Sequence, residues 1–252
     1  MNAISRIILA LFLAVSCSLQ AQTVKVAAAA DLRYALDEIV KSFKNSNKTA
    51  EIEVIYGSSG NAFTQISNGA PYDLYFSADI LYPEKLKQAG LTLSEPKLYA
   101  IGQIVLWSAS LDVSTGLSVL TEKPDIRIAI ANPAHAPYGQ RAVEALKFYT
   151  IFDKIEPQLI FGENISQAAQ FCLSGNADAG LLALSLVLSP TMQNKGKYIL
   201  INESSHRSLK QGYVILNHAK GNNNAFAFAE FINTKEARNI LGRYGFTLPV
   251  QK

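Results

Sequence analysis

The chain has 252 residues, and its 23 Lys and Arg residues nearly balance its 20 Asp and Glu residues, for a formal net charge of +3 at pH 7. This small charge excludes the basic surface on which nucleic-acid binding depends, so we expect no nucleic-acid partner. A chain of this length can bury a large core, either in one domain or in two lobes.

The N-terminus has the pattern of a secretory signal peptide. Arg6 precedes an apolar run over residues 7–15, and small and polar residues follow as far as Ala21. Because the run is too short to cross a bilayer, we predict a signal peptide over residues 1–21 and a mature protein that is periplasmic or otherwise extracytoplasmic. Lipid attachment at Cys17 is the alternative, since "AVSC" partly matches a lipoprotein motif.

Cysteine and histidine usage gives no indication of a metal site. Loss of the signal peptide leaves Cys172 as the one thiol, which predicts no intramolecular disulfide, and its apolar helical surroundings predict a small core residue. The histidines lie in separate segments without metal-ligand spacing, so we expect no bare-cation site and no cofactor. They are His135, His206 and His218.

Hydrophobic periodicity predicts alternating strands and amphipathic helices along the mature chain. A strand over residues 24–30 precedes a helix over residues 32–45, and the pattern repeats through "EIEVIYG", "YDLYFSA" and "PEKLKQAG". The series restarts at "IRIAIAN" and runs to "ADAGLLAL", after which "YVILNHA" returns as a strand and the chain ends in helices. Such alternation predicts mostly parallel sheets flanked by helices.

Two sets of strand–helix units and a late returning strand predict a two-lobed α/β protein. This is the layout of a periplasmic binding protein, type II-like, with the ligand cleft between the lobes. We place lobe 1 at residues 22–100 and 216–252, and lobe 2 at residues 101–215. Crossing strands near 101–108 and 212–217 are expected to form the hinge, and we expect a monomer.

The segment "YGSSGN" places Ser58 and Ser59 where a predicted strand gives way to a helix. Its GSSG sequence matches neither a phosphate-binding P-loop nor a hydrolase nucleophile elbow. A helix N-terminus that is rich in neutral donors can hold an anion without a charged side chain. The alternative is a serine N-cap on an ordinary strand-to-helix turn.

Other segments in the expected order carry a resemblance to a known family. They are "AAAADL" at 27–32, "GAPYDLYFSAD" at 69–79, "ANPAHAPYGQRAVEAL" at 131–146, "GENISQAA" at 162–169 and "NADAGLLAL" at 176–184. From about Val24 to Phe246 the chain resembles the periplasmic molybdate-binding proteins of ABC importers. The resemblance implies that neutral donors bind a small oxyanion, molybdate or tungstate, for delivery to an ABC permease and ATPase complex.

The resemblance also implies a ligand site. Ser59 corresponds to a serine ligand, and Tyr138 and Ile165 correspond to positions that donate backbone N–H groups, with Ser58 beside them. A pocket that contains only donors favours a fully deprotonated dianion over a protonated one. Ala183 stands where the family often has a tyrosine; the phenol of Tyr138 could replace it, or could lie on the rim.

Asp31 is the main departure, because the family commonly has a serine ligand there. A carboxylate beside a dianion is repelled unless it turns away, is protonated or pairs with a cation. We interpret Asp31 as the N-cap of the following helix, with only its backbone N–H facing the anion; the alternative is a carboxyl that is a working part of the site. Arg33 and Arg141 are candidate partners or solvated surface charges, and His135 is interpreted as a turn residue.

The residues favour a binding protein that is not an enzyme. A binding protein for another tetrahedral oxyanion such as sulfate is the nearest alternative, because cavity size is not readable from the sequence. A secreted serine hydrolase is disfavoured, since no elbow motif surrounds Ser58 and Ser59. A sensory or adhesion module with the same fold is a third alternative.

Overall fold

The computed structural model describes residues 23–250 of the protein. The predicted signal peptide, and with it the lipid-attachment alternative at Cys17, lies outside the described residues. Within the described range no helix is long and apolar enough to span a membrane.

Strands and helices alternate as the periodicity predicts. The strands are β1 Val24–Ala29, β2 Ile52–Gly57, β3 Leu74–Ser77, β4 Lys97–Gly102, β5 Ile104–Ser108, β6 Ile128–Ala131, β7 Leu159–Gly162, β8 Ala179–Ala183, β9 Lys197–Leu200 and β10 Leu209–Ile215. The α-helices are α1 Arg33–Ser46, α2 Ser59–Ser67, α3 Leu81–Gln88, α4 Pro137–Phe148, α5 Phe152–Ile155, α6 Ile165–Leu173, α7 Leu184–Val187, α8 Asn223–Phe231 and α9 Lys235–Arg243.

The strands form two separate sheets, which confirms the two-lobed α/β fold. The first sheet has the order β2-β1-β3-β10-β4 and the second has the order β7-β6-β8-β5-β9. In the first sheet only β10 runs against the other strands, and in the second only β5 does. Each lobe is therefore built on a mostly parallel sheet, as expected.

The predicted lobe boundary at residue 215 is wrong. β10 pairs antiparallel with both β3 and β4 in the first sheet, so residues 209–215 belong to lobe 1. The chain returns to lobe 1 between β9 and β10, and the hinge segment expected near 212–217 is an interior strand instead. The first crossing passes through Gln103, between β4 and β5, close to the predicted boundary at 101.

Each sheet has its own core. In lobe 1, Phe76 stacks on Tyr213 with ring centroids 5.2 Å apart and meets Phe228 edge-on at 6.4 Å. In lobe 2, Trp107 is buried, and so is Cys172, which confirms the prediction that this residue belongs to the core. Burial raises the pKa of the Cys172 thiol to about 12, so it stays protonated at neutral pH.

The two lobes are in contact across the cleft. The hydroxyl of Ser166 donates to the carbonyl of Ala30 at 2.9 Å, and that of Ser185 donates to the carbonyl of Asp31 at 2.8 Å. A buried ion pair joins Arg141 of lobe 2 to Asp79 of lobe 1 at 2.6 Å. These contacts hold the protein in a closed arrangement.

Candidate functional site

Three helices begin at one small cavity between the lobes: α2 from lobe 1, and α4 and α6 from lobe 2. The cavity leaves about 10 Å³ for the centres of water-sized molecules and is lined by Ala29, Ala30, Asp31, Gly57, Ser58, Ser59, Ala78, Ala136, Pro137, Tyr138 and Ile165. This is room for about one water molecule, which suits a compact ion better than a sugar or peptide. The structure thus brings the five predicted site residues together.

The cavity is suited to an anion by its backbone. The first N–H groups of a helix have no partner within the helix and carry the positive end of its dipole. Pro137 supplies no N–H at the start of α4, so Tyr138 provides the first donor of that helix. None of the lining residues is Lys, Arg or His. A bound anion would therefore meet neutral donors.

Ser59 is placed to donate to a ligand. Its side chain is buried at the first position of α2, and its Oγ accepts a hydrogen bond from the backbone N–H of Ala78 at 3.0 Å. The hydroxyl hydrogen is then free to donate into the cavity, because an oxygen that accepts can still donate. The carbonyl of Ser59 accepts from the hydroxyl of Tyr75 at 2.7 Å, which fixes this turn to β3.

Ser58 caps α2, as the alternative interpretation of GSSG proposes. Its Oγ accepts from the backbone N–H of Asn61 at 3.4 Å and lies 2.9 Å from Nδ1 of His135. The carbonyl of His135 also accepts from the N–H of Gly60 at 2.8 Å. His135 is a turn residue, as predicted, but its contacts cross the cleft. The sequence analysis missed this because residues 58 and 135 belong to different lobes.

The interpretation of Asp31 as an N-cap is wrong. Helix α1 begins at Arg33 and has Leu32 in the capping position, without a side-chain cap. The carboxylate of Asp31 instead turns inward, where its Oδ2 accepts from the hydroxyl of Tyr138 at 3.0 Å and from Nε2 of Gln211 at 2.7 Å. The carboxyl thus belongs to the wall of the site and joins the two lobes.

A buried polar network surrounds this carboxyl. The hydroxyl of Tyr99 donates to Oε1 of Gln211 at 2.6 Å, while Nε2 of Gln211 lies 3.2 Å from the hydroxyl of Tyr138. Gly102 leaves room for these groups, since a Cβ there would lie 2.3 Å from the Tyr138 hydroxyl. The sequence analysis missed Gln211, whose signal is a lone amide in a strand that is apolar apart from Lys210.

Burial raises the pKa of Asp31 from 3.8 to about 6, against the opposing effect of the hydrogen bonds from Gln211 and Tyr138. Its Oδ1 is buried and has no hydrogen-bond partner among the described residues. Burial, together with the charge of Asp31, also raises the pKa values of Tyr99 and Tyr138 well above the usual 10.0. Desolvation of the charged form is the common cause.

Neither candidate arginine neutralises Asp31. Arg141 is buried and pairs with Asp79, so the interpretation of it as a solvated surface charge is wrong. Arg33 lies over the ring of Tyr56, 4.6 Å from its centroid. The phenol of Tyr138 is buried beside Asp31 and not on the rim.

Residues 24–247 match the model of a family described as bacterial extracellular solute-binding protein. The chain belongs to this family. The solute-binding protein is 33% identical over 248 residues to a protein from Azotobacter vinelandii named molybdate-binding protein ModA, covering 97% of this chain and 98% of the relative. It is 34% identical over 242 residues to the ModA of Rhodobacter capsulatus, covering 94% and 93% of the two chains.

A solved structure gives the same result. The periplasmic molybdate-binding protein of Azotobacter vinelandii superposes on this solute-binding protein with a TM-score of 0.84 at 31% identity, covering 90% of this chain and 100% of that one. The agreement extends over both lobes, so the fold around the cavity is that of an oxyanion-binding relative.

Asp31→Asn is expected to stabilise the closed arrangement of the protein near neutral pH. Folding raises the pKa of Asp31 from 3.8 to about 6, so the folded protein holds this proton more tightly than the unfolded chain does. Stability must then fall as pH rises from 3.8 through 6, because the unfolded state releases the proton more readily. At about 1.4 kcal/mol per pKa unit, the penalty above pH 6 is about 3 kcal/mol, and an amide avoids it.

Chemical unfolding of the variant and the parent at several pH values measures this difference. The gain in unfolding free energy should be full above pH 6.5 and shrink towards pH 4. Asp125→Asn, which alters an exposed carboxylate, is the matched control and should show no such trend. A gain that is the same at both ends of the pH range would contradict the assignment to Asp31.

Proposed function

We propose that this solute-binding protein captures molybdate outside the cytoplasm and delivers it to an ABC importer. The observation that carries the proposal is the closed cavity at which three helix N-termini and the hydroxyl of Ser59 converge without a basic side chain. Relatives named for molybdate binding, which align over nearly the whole chain, support the choice of this oxyanion.

The donor set supports a dianion. Backbone N–H groups and a serine hydroxyl can satisfy the oxygens of a fully deprotonated tetrahedral ion, while the hydroxyl of a protonated ion would need an acceptor, and the carboxyl of Asp31 is the one side chain in the lining that ionises to an acceptor. Tungstate has the charge of molybdate and nearly its size, so the protein is expected to bind both. Sulfate offers the same chemistry in a smaller ion, and its rejection depends on the fit of the closed cavity.

A serine hydrolase is the second candidate, because Ser58, His135 and Glu163 lie in a row. His135 Nδ1 lies 2.9 Å from the Ser58 Oγ, but its Nε2 lies 3.7 Å from an oxygen of Glu163, beyond hydrogen-bond distance. Glu163 is mostly exposed and accepts from the side chain of Asn61 at 2.6 Å. These contacts cross between the lobes, which favours a role in closure over catalysis.

A role in import implies which partners this protein should have. An ABC permease and its ATPase at the membrane would receive the oxyanion from the closed protein, which acts as a monomer in the periplasm or an equivalent extracytoplasmic space. The signal peptide over residues 1–21 accounts for its export. The ligand itself is the cargo, and no cofactor takes part.

Calorimetric titration of the mature protein, residues 22–252, tests the proposal. The panel contains molybdate, tungstate, sulfate, phosphate and chromate, with a chromogenic ester as a hydrolase substrate. We expect tight binding of molybdate and tungstate, weak or no binding of the others, and no ester turnover. Saturable sulfate binding without a molybdate response, or ester hydrolysis lost in Ser58→Ala, would overturn it.

Ser59→Ala is expected to weaken molybdate binding by about 1.5 to 3 kcal/mol, because a hydrogen bond to a charged, desolvated ligand is lost. The backbone N–H of Ala78 also loses its acceptor in the variant, so the unfolding free energy should be measured alongside the affinity. Ser67→Ala, an exposed change at the far end of α2, is the control. Parent-like affinity in Ser59→Ala would remove this side chain from the site.

Gly60→Ala is expected to oppose closure and weaken binding at least about tenfold, since the closed state supplies contacts from both lobes. A Cβ at Gly60 would lie 2.6 Å from the carbonyl oxygen of His135, across the cleft. Gly242→Ala, in α9, is the control because its Cβ would meet only a side-chain carbon at 3.9 Å.

Small-angle X-ray scattering measures the closure of the two lobes as a change in the radius of gyration. Molybdate should reduce the radius of gyration of the parent and of Gly242→Ala, and should do so less in Gly60→Ala. An anion that does not bind should leave every curve unchanged. An unchanged radius in the saturated parent would show that binding does not close the lobes.

A further inference from the structure

The carboxyl of Asp31 is out of place in a donor-only site. It lines the cavity and is 1% exposed, so water does not screen it from a bound ion. Two like charges that are buried side by side repel strongly, because the dielectric constant of the protein interior is low. Each charge also loses its hydration, which costs further free energy. The carboxyl must therefore be neutralised when a dianion is bound.

The groups around Asp31 supply no positive charge. Tyr99 on β4 and Tyr138 on α4 are neutral phenols, and Gln211 on β10 is an amide. The serines of α6 and α7 that cross to this turn reach backbone carbonyls and have no charge.

The nearby basic side chains are engaged elsewhere. Arg141 of α4 pairs with Asp79 at 2.6 Å, and Arg33 of α1 lies over Tyr56. His135, before α4, faces Ser58 and Glu163. Within residues 23–250, no ion pair to Asp31 is present, so a proton is the remaining way to neutralise it.

The hydrogen bonds decide which oxygen carries that proton. Oδ2 accepts from both Tyr138 and Gln211, so it is already occupied as an acceptor. Oδ1 is buried and has no partner among the described residues, and Asp31 is one of the residues that line the cavity. A proton on Oδ1 would turn this oxygen from a repelling acceptor into a donor, like the other donors of the site.

We propose that Asp31 binds the oxyanion as a neutral carboxyl that donates from Oδ1, so that the protein takes up one proton with each dianion. This inference rests on the proposed function and deepens it. It assigns Asp31 the donor role that a hydroxyl would otherwise fill, and it makes capture depend on pH.

The direction of that dependence follows from linkage. In the closed arrangement without a ligand the pKa of Asp31 is about 6, and a dianion beside the carboxyl raises it further. The bound state therefore holds the proton more tightly than the free state, and affinity is highest below the free-state pKa. Above about pH 6.5, the dissociation constant should rise by nearly tenfold per pH unit until the bound-state pKa is reached.

Asp31→Asn separates this role from a purely structural one. The amide has the shape of the neutral carboxyl: its oxygen can accept from Tyr138 and Gln211, and its NH₂ can donate to the ligand. The variant should bind molybdate with an affinity that does not change with pH. Near pH 8.5 it should bind at least about tenfold more tightly than the parent, in which the carboxyl must first gain its proton.

Calorimetric titration of the mature protein with molybdate measures both the proton uptake and the pH dependence of the affinity. Titrations in two buffers of different ionisation enthalpy count the protons taken up, and titrations from about pH 6.5 to 8.5 give the slope. We expect about one proton for the parent near pH 7.5, and none for Asp31→Asn. Asp125→Asn, an exposed change, should behave as the parent does.

Two results would overturn the inference. One is a parent that binds molybdate with no proton uptake and a flat pH profile; the other is a folded Asp31→Asn protein that loses affinity at every pH. If the variant does not fold, the proton count on the parent still decides. Absence of molybdate binding at every pH in the parent would instead overturn the proposed function.

Discussion

Helix N-termini cannot satisfy their own first N–H groups, and the architecture around the cavity depends on this constraint. Three helices, from two lobes, direct these donors at the same small space. The parallel strands make this possible, because their carboxyl ends lie at one edge of each sheet and the next helix starts there. Closure then removes water, which would otherwise compete for the donors, and strengthens their interaction with an anion.

The buried carboxyl changes the chemistry of this arrangement. Asp31 ties the two lobes together through Tyr138, and Gln211 and Tyr99 extend the connection to the strands beside the first crossing. The same hydrogen bonds that hold the carboxyl in place leave its other oxygen, Oδ1, without a partner among the described residues. The residue that joins the two lobes is therefore also the residue that we propose to meet the ligand.

Local patterns predicted most of the fold, because the alternation of strands and helices and the possible Ser58 cap depend on residues within a few positions of one another. The positions of Ser59, Tyr138 and Ile165 in the site came from the family resemblance, and the structure places all three in the lining of one cavity. The interpretation of Asp31 failed because an aspartate before a helix has a strong local preference for capping, which a buried partner 180 residues away overrides. The predicted lobe boundary at residue 215 was wrong for the same reason. The pairing of β10 with β3 joins residues that are far apart in the sequence, and hydrophobic periodicity does not predict which strands pair.

The position of β10 also has a consequence for the order in which the protein is completed. This strand lies between β3 and β4 in the first sheet, so β4 has no neighbour in that sheet until residues 209–215 are present. Lobe 2, by contrast, is built from one uninterrupted stretch between β5 and β9. The second lobe can therefore fold as a unit while the first waits for the end of the chain. The segment that comes first in the sequence is thus completed last, since the sheet that carries Asp31 and Ser59 is whole only when residues 209–215 have joined it.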